Sequence, residues 1–453
     1  MQKLVGWFSK PKAPHGIALF RILFGLLLLW DIQRFYSIDL IENYFSEPTI
    51  FYYDFLNVHA ASTEVMNLLL AGLTISAICI TIGLFYRIAI AFFAIVFSYF
   101  FLLDQVIYNN HLYAICLIAF MLFFMRADGA LSVRKKRHVP FVPQWNYRLL
   151  QFQILVIYFF GGISKLNPHW LDMHPVEELL SIRAERSDMA FLNTELFHYI
   201  IAYTGVFFDL CIGFFLLIKK TRIAAVVAAV IFNLTNSWIF DDIYIFPFFM
   251  IAALLLFLDP EKIKARLQNW NIVKDSKTGA KKAKAQVQNT VTPISTFGTC
   301  IILLYVLVQL ALPLRHYFVT GYTDWTGEYQ RFSWRMKIQN REINEVKFAI
   351  FDLDKKEIHK VDIDNYLYPD EILQMCYSPR MITQFAYYLK EEVAKRNGIR
   401  RCWVKCKVNV SFNGLPAVDI FDPDTDLIEG YEIHDSFNEW INPLPAKKKE
   451  ILP

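Results

Sequence analysis

Long apolar blocks alternate with short polar segments over the first 315 residues of this 453-residue chain. A window of about 19 residues, the length that crosses a bilayer as a helix, predicts about nine membrane spans in this region. They lie near residues 16–31, 64–82, 86–103, 111–125, 148–163, 196–218, 222–240, 243–258 and 294–314. Residues 1–315 are therefore predicted to form a polytopic α-helical membrane bundle.

From residue 316 onward the apolar positions alternate with polar ones. In Cys402–Phe412 every second residue is apolar, which predicts a strand with one buried face. Asn413-Gly414 predicts a tight turn into a second strand over Leu415–Phe421. Glu345–Asp352 reads as a further strand and Met381–Arg396 as a helix. Residues 316–453 are therefore predicted to form a β-rich extramembrane domain.

The basic residues between the spans predict the orientation of the bundle. With a cytoplasmic N-terminus, the strongly basic loops 134–137, 219–222 and 262–284 fall on the cytoplasmic side, as the positive-inside rule requires. An odd number of spans then puts the C-terminal domain on the non-cytoplasmic side. The segment 259–293 is predicted to be a basic cytoplasmic linker, either a solvated loop or a helix lying on the membrane surface.

Composition supports a membrane protein and excludes some other classes. Charged residues make up 19% of the chain, below the quarter that is typical of soluble domains, so membrane lipid is an expected partner. A net charge of +4 is too small to predict a nucleic-acid partner. The seven cysteines form no CxxC or Cys/His pattern, so no metal site is expected and the redox compartment stays open.

Lys165 is the first candidate for chemistry. It follows an apolar span that ends in Gly161-Gly162, at the predicted non-cytoplasmic boundary of the membrane. Such a lysine commonly lays its stem in lipid and extends its ammonium to the headgroups. Alternatively, a water-poor environment favours the neutral amine, which can act as a general base. The pattern alone leaves both interpretations open.

Asn109-Asn110-His111 begin a span on the same predicted side as Lys165. These residues can cap the helix, or they can orient a quinone oxygen and stabilise a developing anion. Arg21 and Asp209 lie inside spans, where a structural role is the default: each bonds to backbone carbonyls, or the two pair with each other. Asn233 is expected to form an interhelical hydrogen bond.

A third group, Tyr329, Trp334 and Met336, follows the last span. Aromatic residues there usually form the interfacial belt, but a flat apolar cofactor entering from the bilayer would need the same side chains.

Several short motifs, taken in order, point to a known family. Gly162-Ile163-Ser164-Lys165-Leu166, with Trp170 following, resembles the catalytic-lysine segment of the vitamin K-dependent gamma-glutamyl carboxylases, which belong to the horizontally transferred transmembrane (HTTM) domain family. Further similar segments are Phe20-Arg21-Ile22-Leu23-Phe24-Gly25, Leu84-Phe85-Tyr86-Arg87-Ile88, Asn109-Asn110-His111, Trp145-Asn146-Tyr147, Asn236-Ser237, Gly321-Tyr322, Ser333-Trp334 and Phe421-Asp422-Pro423.

The resemblance implies an activity and roles for these residues. Reduced vitamin K would react with O2, a γ-proton of a protein glutamate would be removed, and CO2 would add, leaving vitamin K epoxide. Lys165 stands at the position of the base, and His111 and Asn110 stand near the reacting quinone. Lys165 and His111 are therefore predicted to be catalytic, and Asn109 and Asn110 to bind the cofactor. Tyr329, Trp334 and Met336 would line the naphthoquinone pocket. The implied partner is a glutamate-containing polypeptide, and the expected location is a bacterial inner membrane.

Some residues depart from the family pattern. Arg335-Met336-Lys337 is more basic than the corresponding animal segment, and Asn233 replaces an expected histidine. Two alternatives therefore stay open: a homologue that oxygenates the quinone without carboxylation, and a non-catalytic membrane scaffold or lipid-binding protein.

Overall fold

The structure, a computed structural model, describes most of the chain. The described residues are 2–45, 49–53, 55–56, 58–240, 243–273, 294–318, 321–428 and 439–444. A helical bundle comes first and a smaller domain with a β-sheet follows it, as predicted. Asp241-Asp242 and residues 274–293 of the predicted linker lie outside the described residues.

Seven helices in the described part of the chain are long and apolar enough to cross a membrane. Together with the two shorter apolar helices α6 and α12, they occupy the regions of the nine predicted spans. At 1.5 Å per residue, α6 and α12 fall short of the ~30 Å hydrocarbon core. The two shorter helices are α6 (Asn110–Phe124) and α12 (Phe246–Ala253), which continues as a 3-10 turn to Phe257. The seven longer ones are α2 (His15–Ser37), α4 (Thr63–Ile82), α5 (Tyr86–Leu103), α7 (Gln144–Ser164), α10 (Glu195–Leu217), α11 (Arg222–Ile239) and Thr296–Phe318, which comprises α14 (Thr296–Ala311) and a 3-10 segment.

Shorter helices connect these elements or belong to the C-terminal domain. They are α1 (Gln2–Phe8), α3 (Leu40–Tyr44), α8 (Pro168–Leu171), α9 (His174–Ser187), α13 (Pro260–Asn269), α15 (Thr323–Thr326), α16 (Pro369–Cys376) and α17 (Pro379–Tyr388), with 3-10 turns at Ala127–Gly129, Lys135–Arg137, Ala190–Asn193 and Ile363–Asn365.

The C-terminal domain is built on a four-stranded antiparallel sheet of order β4-β3-β5-β6. Val404, Val408 and Val410 of β5 are fully buried, which confirms the predicted apolar face. The strands are β3 (Arg341–Asp352), β4 (Glu357–Val361), β5 (Cys402–Phe412) and β6 (Val418–Asp419); in the membrane domain, β1 (Pro11–Lys12) pairs with β2 (Val142–Pro143).

Three elements of this domain differ from their predicted extents. Strand β3 begins at Arg341 and not at Glu345. After the turn at Asn413-Gly414, the second strand is limited to β6, because Pro416 has no N–H to donate to a ladder. The predicted helix Met381–Arg396 is α-helical only to Tyr388 and continues as a π-helical turn, Leu389–Ala394.

Polar contacts hold the C-terminal domain against the bundle. Gln105, just after α5, donates from Nε2 to Oε1 of Gln384 in α17 at 3.2 Å. The Tyr44 hydroxyl donates to Oδ2 of Asp370 at 3.1 Å. The two domains thus lie against each other, and residues of both line one cavity.

Candidate functional site

The end of α7 is held close to α10 by a glycine. A Cβ atom at Gly162 would lie 2.8 Å from Cγ and 2.9 Å from the backbone nitrogen of Leu210. Only a residue without a side chain allows this approach, because such a contact would otherwise push the two backbones apart. The close packing sets Lys165, directly after α7, opposite the face of α10 that carries Asp209.

Lys165 and Asp209 form a buried ion pair between Nζ and Oδ2. Both side chains are almost inaccessible, with relative exposures of 10% and 7%. The Trp170 ring covers the amine, its centroid 5.3 Å from Nζ. Lys165 therefore does not extend its ammonium to the lipid headgroups. Its amine is not isolated either, because it is buried next to the carboxylate of Asp209.

A cavity of about 690 Å³ opens beside this pair. Its deep part is apolar and lies between α7, α10, α11 and α12. Its other end is polar and reaches the C-terminal domain. Apolar lining residues include Ile157, Phe208, Ile231, Phe232, Phe246 and Met250.

Asn109 and Asn110 line the polar end of the cavity. Asn109 caps α6, its Oδ1 accepting from the backbone N–H of His111 at 3.3 Å. Asn110 donates from Nδ2 to the carbonyl of Arg335 at 3.0 Å and accepts from the Tyr108 hydroxyl at 3.2 Å. Burial raises the pKa of Tyr108, so this hydroxyl stays protonated and keeps donating.

The segment after α15 approaches the cavity with an unusual backbone. Tyr329, Phe332, Trp334 and Lys337 all have positive φ, between 54° and 62°. Such conformations cost free energy in residues with side chains and are found mostly where function or tertiary contacts require them. Met336 reaches the cavity from this segment, and its Cε lies 3.4 Å from the Cβ position of Gly161.

The other predicted site residues lie away from the cavity lining. His111 is buried on another side of α6, with Nε2 at 3.6 Å from Oδ1 of Asp31. Trp334 is fully buried and stacks on Tyr113 at 4.8 Å between centroids. Tyr329 is 43% exposed. Lys165, Asn109, Asn110 and Met336 thus share one cavity, whereas His111, Tyr329 and Trp334 do not line it.

The structure adds polar residues that the sequence did not assign to the site. Asp209 was expected to be structural, and its position in an apolar span was the only signal. Asn233 donates from Nδ2 to the Tyr158 hydroxyl at 2.9 Å, the interhelical bond expected for it, and both residues line the cavity. Arg21, by contrast, is far along the chain from this pair and donates to the Leu131 carbonyl at 2.6 Å.

Comparison with protein-family models identifies both parts of the chain. The HTTM domain matches residues 9–261. The lumenal domain of vitamin K-dependent gamma-carboxylase matches residues 294–447. The chain belongs to the gamma-carboxylase family.

The HTTM match covers most of the helical bundle, and the lumenal-domain match covers the domain with the sheet. Residues from both matched regions line the cavity. No solved structure matches the chain. Within the described residues, no group of three or more His, Cys, Asp or Glu side chains is arranged to hold a metal ion.

Proposed function

We propose that this gamma-carboxylase family member is a membrane-embedded vitamin K-dependent gamma-glutamyl carboxylase, with Lys165 as its base. The observation that carries the proposal is the buried Lys165–Asp209 pair at the wall of a cavity of about 690 Å³. A reactive amine and a space for an apolar ligand meet at one point in the fold.

The cavity residues fit reduced vitamin K. The volume is within the ~300–1000 Å³ range of small-molecule sites. The apolar part suits a fused ring and an isoprenoid tail, and the amides of Asn109 and Asn110 suit the ring oxygens. Ile231 of the membrane-spanning helix α11 lines the cavity and is 60% exposed, which supports entry from the bilayer.

When bound, reduced vitamin K supplies the reaction with O2 that makes a base strong enough to take a γ-proton from glutamate. The protein's part begins with Lys165, whose Nζ accepts a hydroxyl proton from the bound quinol. Only the neutral amine can do so. Transfer of a proton from Nζ of Lys165 to Oδ2 of Asp209 converts the ion pair into a neutral amine and a neutral carboxyl. In a water-poor site two neutral groups are less costly to bury than two charged ones.

Asp209 has a second role in this proposal. After Lys165 has accepted the quinol proton, the resulting ammonium donates a hydrogen bond to the Asp209 carboxyl, which is uncharged at this stage because it holds the proton that Nζ released earlier. The Trp170 ring covers the same amine and limits its contact with water, which protects the carbanion formed on the glutamate until CO2 adds. The neutral-base hypothesis is thereby extended from one residue to a pair.

The proposed orientation has a cytoplasmic N-terminus and a non-cytoplasmic C-terminal domain in a bacterial inner membrane. It rests on the distribution of Lys and Arg between the spans. Labelling a C-terminal tag in intact cells with an impermeant reagent tests it; a tag that reacts only after lysis would reverse this orientation.

The activity is tested with purified protein in nanodiscs, given reduced vitamin K, O2, labelled bicarbonate and a glutamate peptide. The proposal predicts vitamin K epoxide together with labelled peptide. Epoxide without labelled peptide would identify the uncoupled homologue. The absence of both products would contradict the proposal and favour a scaffold or lipid-binding role.

A further inference from the structure

The described residues around the cavity carry more positive than negative groups. Among them, the lining contains four cationic residues and a single carboxylate. Lys165 is paired with that carboxylate, Asp209. Arg335 is paired outside the lining, with two hydrogen bonds to Asp324 at 2.8 and 2.7 Å. The cationic residues are Lys165, Arg331, Arg335 and Lys337.

Arg331 differs from the paired cations. Its Nη2 contacts the Met381 sulfur at 3.1 Å, and its guanidinium lies 5.8 Å from the centroid of the Tyr108 ring. No carboxylate of the described residues forms an ion pair with it. Asp104 is near enough to act on it electrostatically, but burial raises the pKa of Asp104 to about 8, so this group is mainly neutral at pH 7.

The position of Arg331 is suited to a ligand that arrives from water. Tyr108 belongs to the membrane domain and Met381 to α17 of the C-terminal domain, so Arg331 lies between the two domains. The cavity wall on this side is polar and includes Gln330, Gln374 and Ser378. A guanidinium offers a planar set of donors that matches a carboxylate, and a partly desolvated one gains most from such a partner.

We propose that Arg331 binds a carboxylate at the end of the cavity next to the C-terminal domain. The inference rests on the proposed function for one point, that this carboxylate is the side chain of a glutamyl residue in a polypeptide. Removal of a proton from the γ-carbon builds negative charge next to an existing carboxylate. A cation paired with that carboxylate lowers the repulsion, so Arg331 would assist the reaction as well as select the substrate.

A binding experiment without quinol tests the inference separately from activity. A fluorescent peptide with one glutamate, and a matched peptide with glutamine in its place, are titrated with the protein in nanodiscs and followed by anisotropy. The glutamate peptide is expected to bind more tightly. Arg331→Gln should raise the Kd for the glutamate peptide about 10- to 100-fold and leave the Kd for the glutamine peptide unchanged. The Kd of Arg331→Lys for the glutamate peptide should lie between the values of the wild type and Arg331→Gln, because lysine keeps the positive charge.

Arg396→Gln is the matched control, since it removes an arginine that is 70% exposed and paired with Glu392 in the C-terminal domain. It should bind the glutamate peptide like the wild type. Thermal unfolding of each variant shows whether the fold is retained. Displacement of the glutamate peptide by acetate or bicarbonate at peptide-like concentrations would overturn the polypeptide assignment, whereas displacement only by unlabelled glutamate peptide supports it.

Equal affinity of the wild type for the two peptides would overturn the inference. So would unchanged glutamate-peptide binding by a folded Arg331→Gln variant. Arg331-dependent binding in a protein that makes no epoxide would instead contradict the proposed function and still support the carboxylate site, so the two failures can be distinguished.

Discussion

Lys165 and Asp209 pair across the contact between α7 and α10, and the pair forms part of the cavity wall. Two charged groups buried in a membrane domain are costly unless each satisfies the other. Their pairing explains why α10 carries a carboxylate in an apolar stretch and why α7 ends at a lysine. It also gives the amine a neighbour with which to exchange a proton.

Replacing Asp209 by asparagine should destabilise the protein and lower its activity. The change leaves a buried lysine without its counter-ion, and breaking one side of a buried pair costs about 3–5 kcal/mol. Thermal unfolding in detergent and the rate of epoxide formation measure the two effects. The double variant Lys165→Met, Asp209→Leu should recover much of the stability and none of the activity. A single variant as stable as the wild type would mean that the pair contributes nothing to folding.

Gly162→Ala should separate the ends of α7 and α10. The added methyl would meet Leu210, including its backbone nitrogen, and overpacking of this kind costs about 1–3 kcal/mol. Gly161→Ala is the matched control: its nearest neighbours would be at 3.4 and 3.6 Å, an ordinary contact. We expect a lower Tm for Gly162→Ala alone; the two variants are compared by Tm because the added methyl at Gly161 would touch Met336 and Asp209 of the proposed site. Equal effects of the two substitutions would rule out the close approach as the cause.

Stability should fall as pH rises because of Asp104. Burial raises the folded-state pKa of this carboxyl from 3.8 to about 8. The folded protein therefore holds a proton that the unfolded chain releases above pH ~4, and this stabilisation is lost as pH rises towards ~8. Tm measured between pH ~5 and ~8 should fall more steeply in the wild type than in Asp104→Asn.

Asp354→Asn serves as the control for this pH series, because the Asp354 side chain is half exposed. Its Tm profile should run parallel to that of the wild type. If the Asp104→Asn profile did so as well, the raised pKa of Asp104 would have no influence on folding.

Substitutions of Trp334 and Met336 should affect different properties, the first the stability of the protein and the second its binding of the quinol. Trp334 is fully buried and stacked on Tyr113, so Trp334→Ala should lower stability by about 3–5 kcal/mol. Met336 lines the cavity, so Met336→Ala should raise the KM for reduced vitamin K with a smaller change in Tm. A Trp334→Ala protein of normal stability with an increased KM would instead support direct contact between Trp334 and the quinol.

The sequence predicts the spans and β5 well because each depends on a local pattern of apolar residues. It also indicates Lys165, which follows directly from the end of an apolar helix. The orientation of His111 was not predictable in the same way. Neighbouring residues on a helix point about 100° apart, so Asn110 reaches the cavity while His111 faces Asp31.

Contacts between residues that are distant in the sequence were also not predictable from the sequence. Asn110 meets the backbone of Arg335, 225 positions later, and Lys165 meets Asp209 across two helices. Each ionisable residue in a span was visible in the sequence, but its partner depends on how the helices rotate and pack. Arg21 and Asp209 were expected to bond to backbone carbonyls or to each other; Arg21 donates to the Leu131 carbonyl, and Asp209 pairs with Lys165.

The rate of vitamin K epoxide formation by Lys165→Met tests the central claim most directly. Methionine keeps the apolar stem and removes the amine, and Lys219→Met, at an exposed position, is the control. Loss of a general base predicts a rate at least ~100-fold below that of the wild type, with the control unchanged. Epoxide formation by folded Lys165→Met at the wild-type rate would contradict the account.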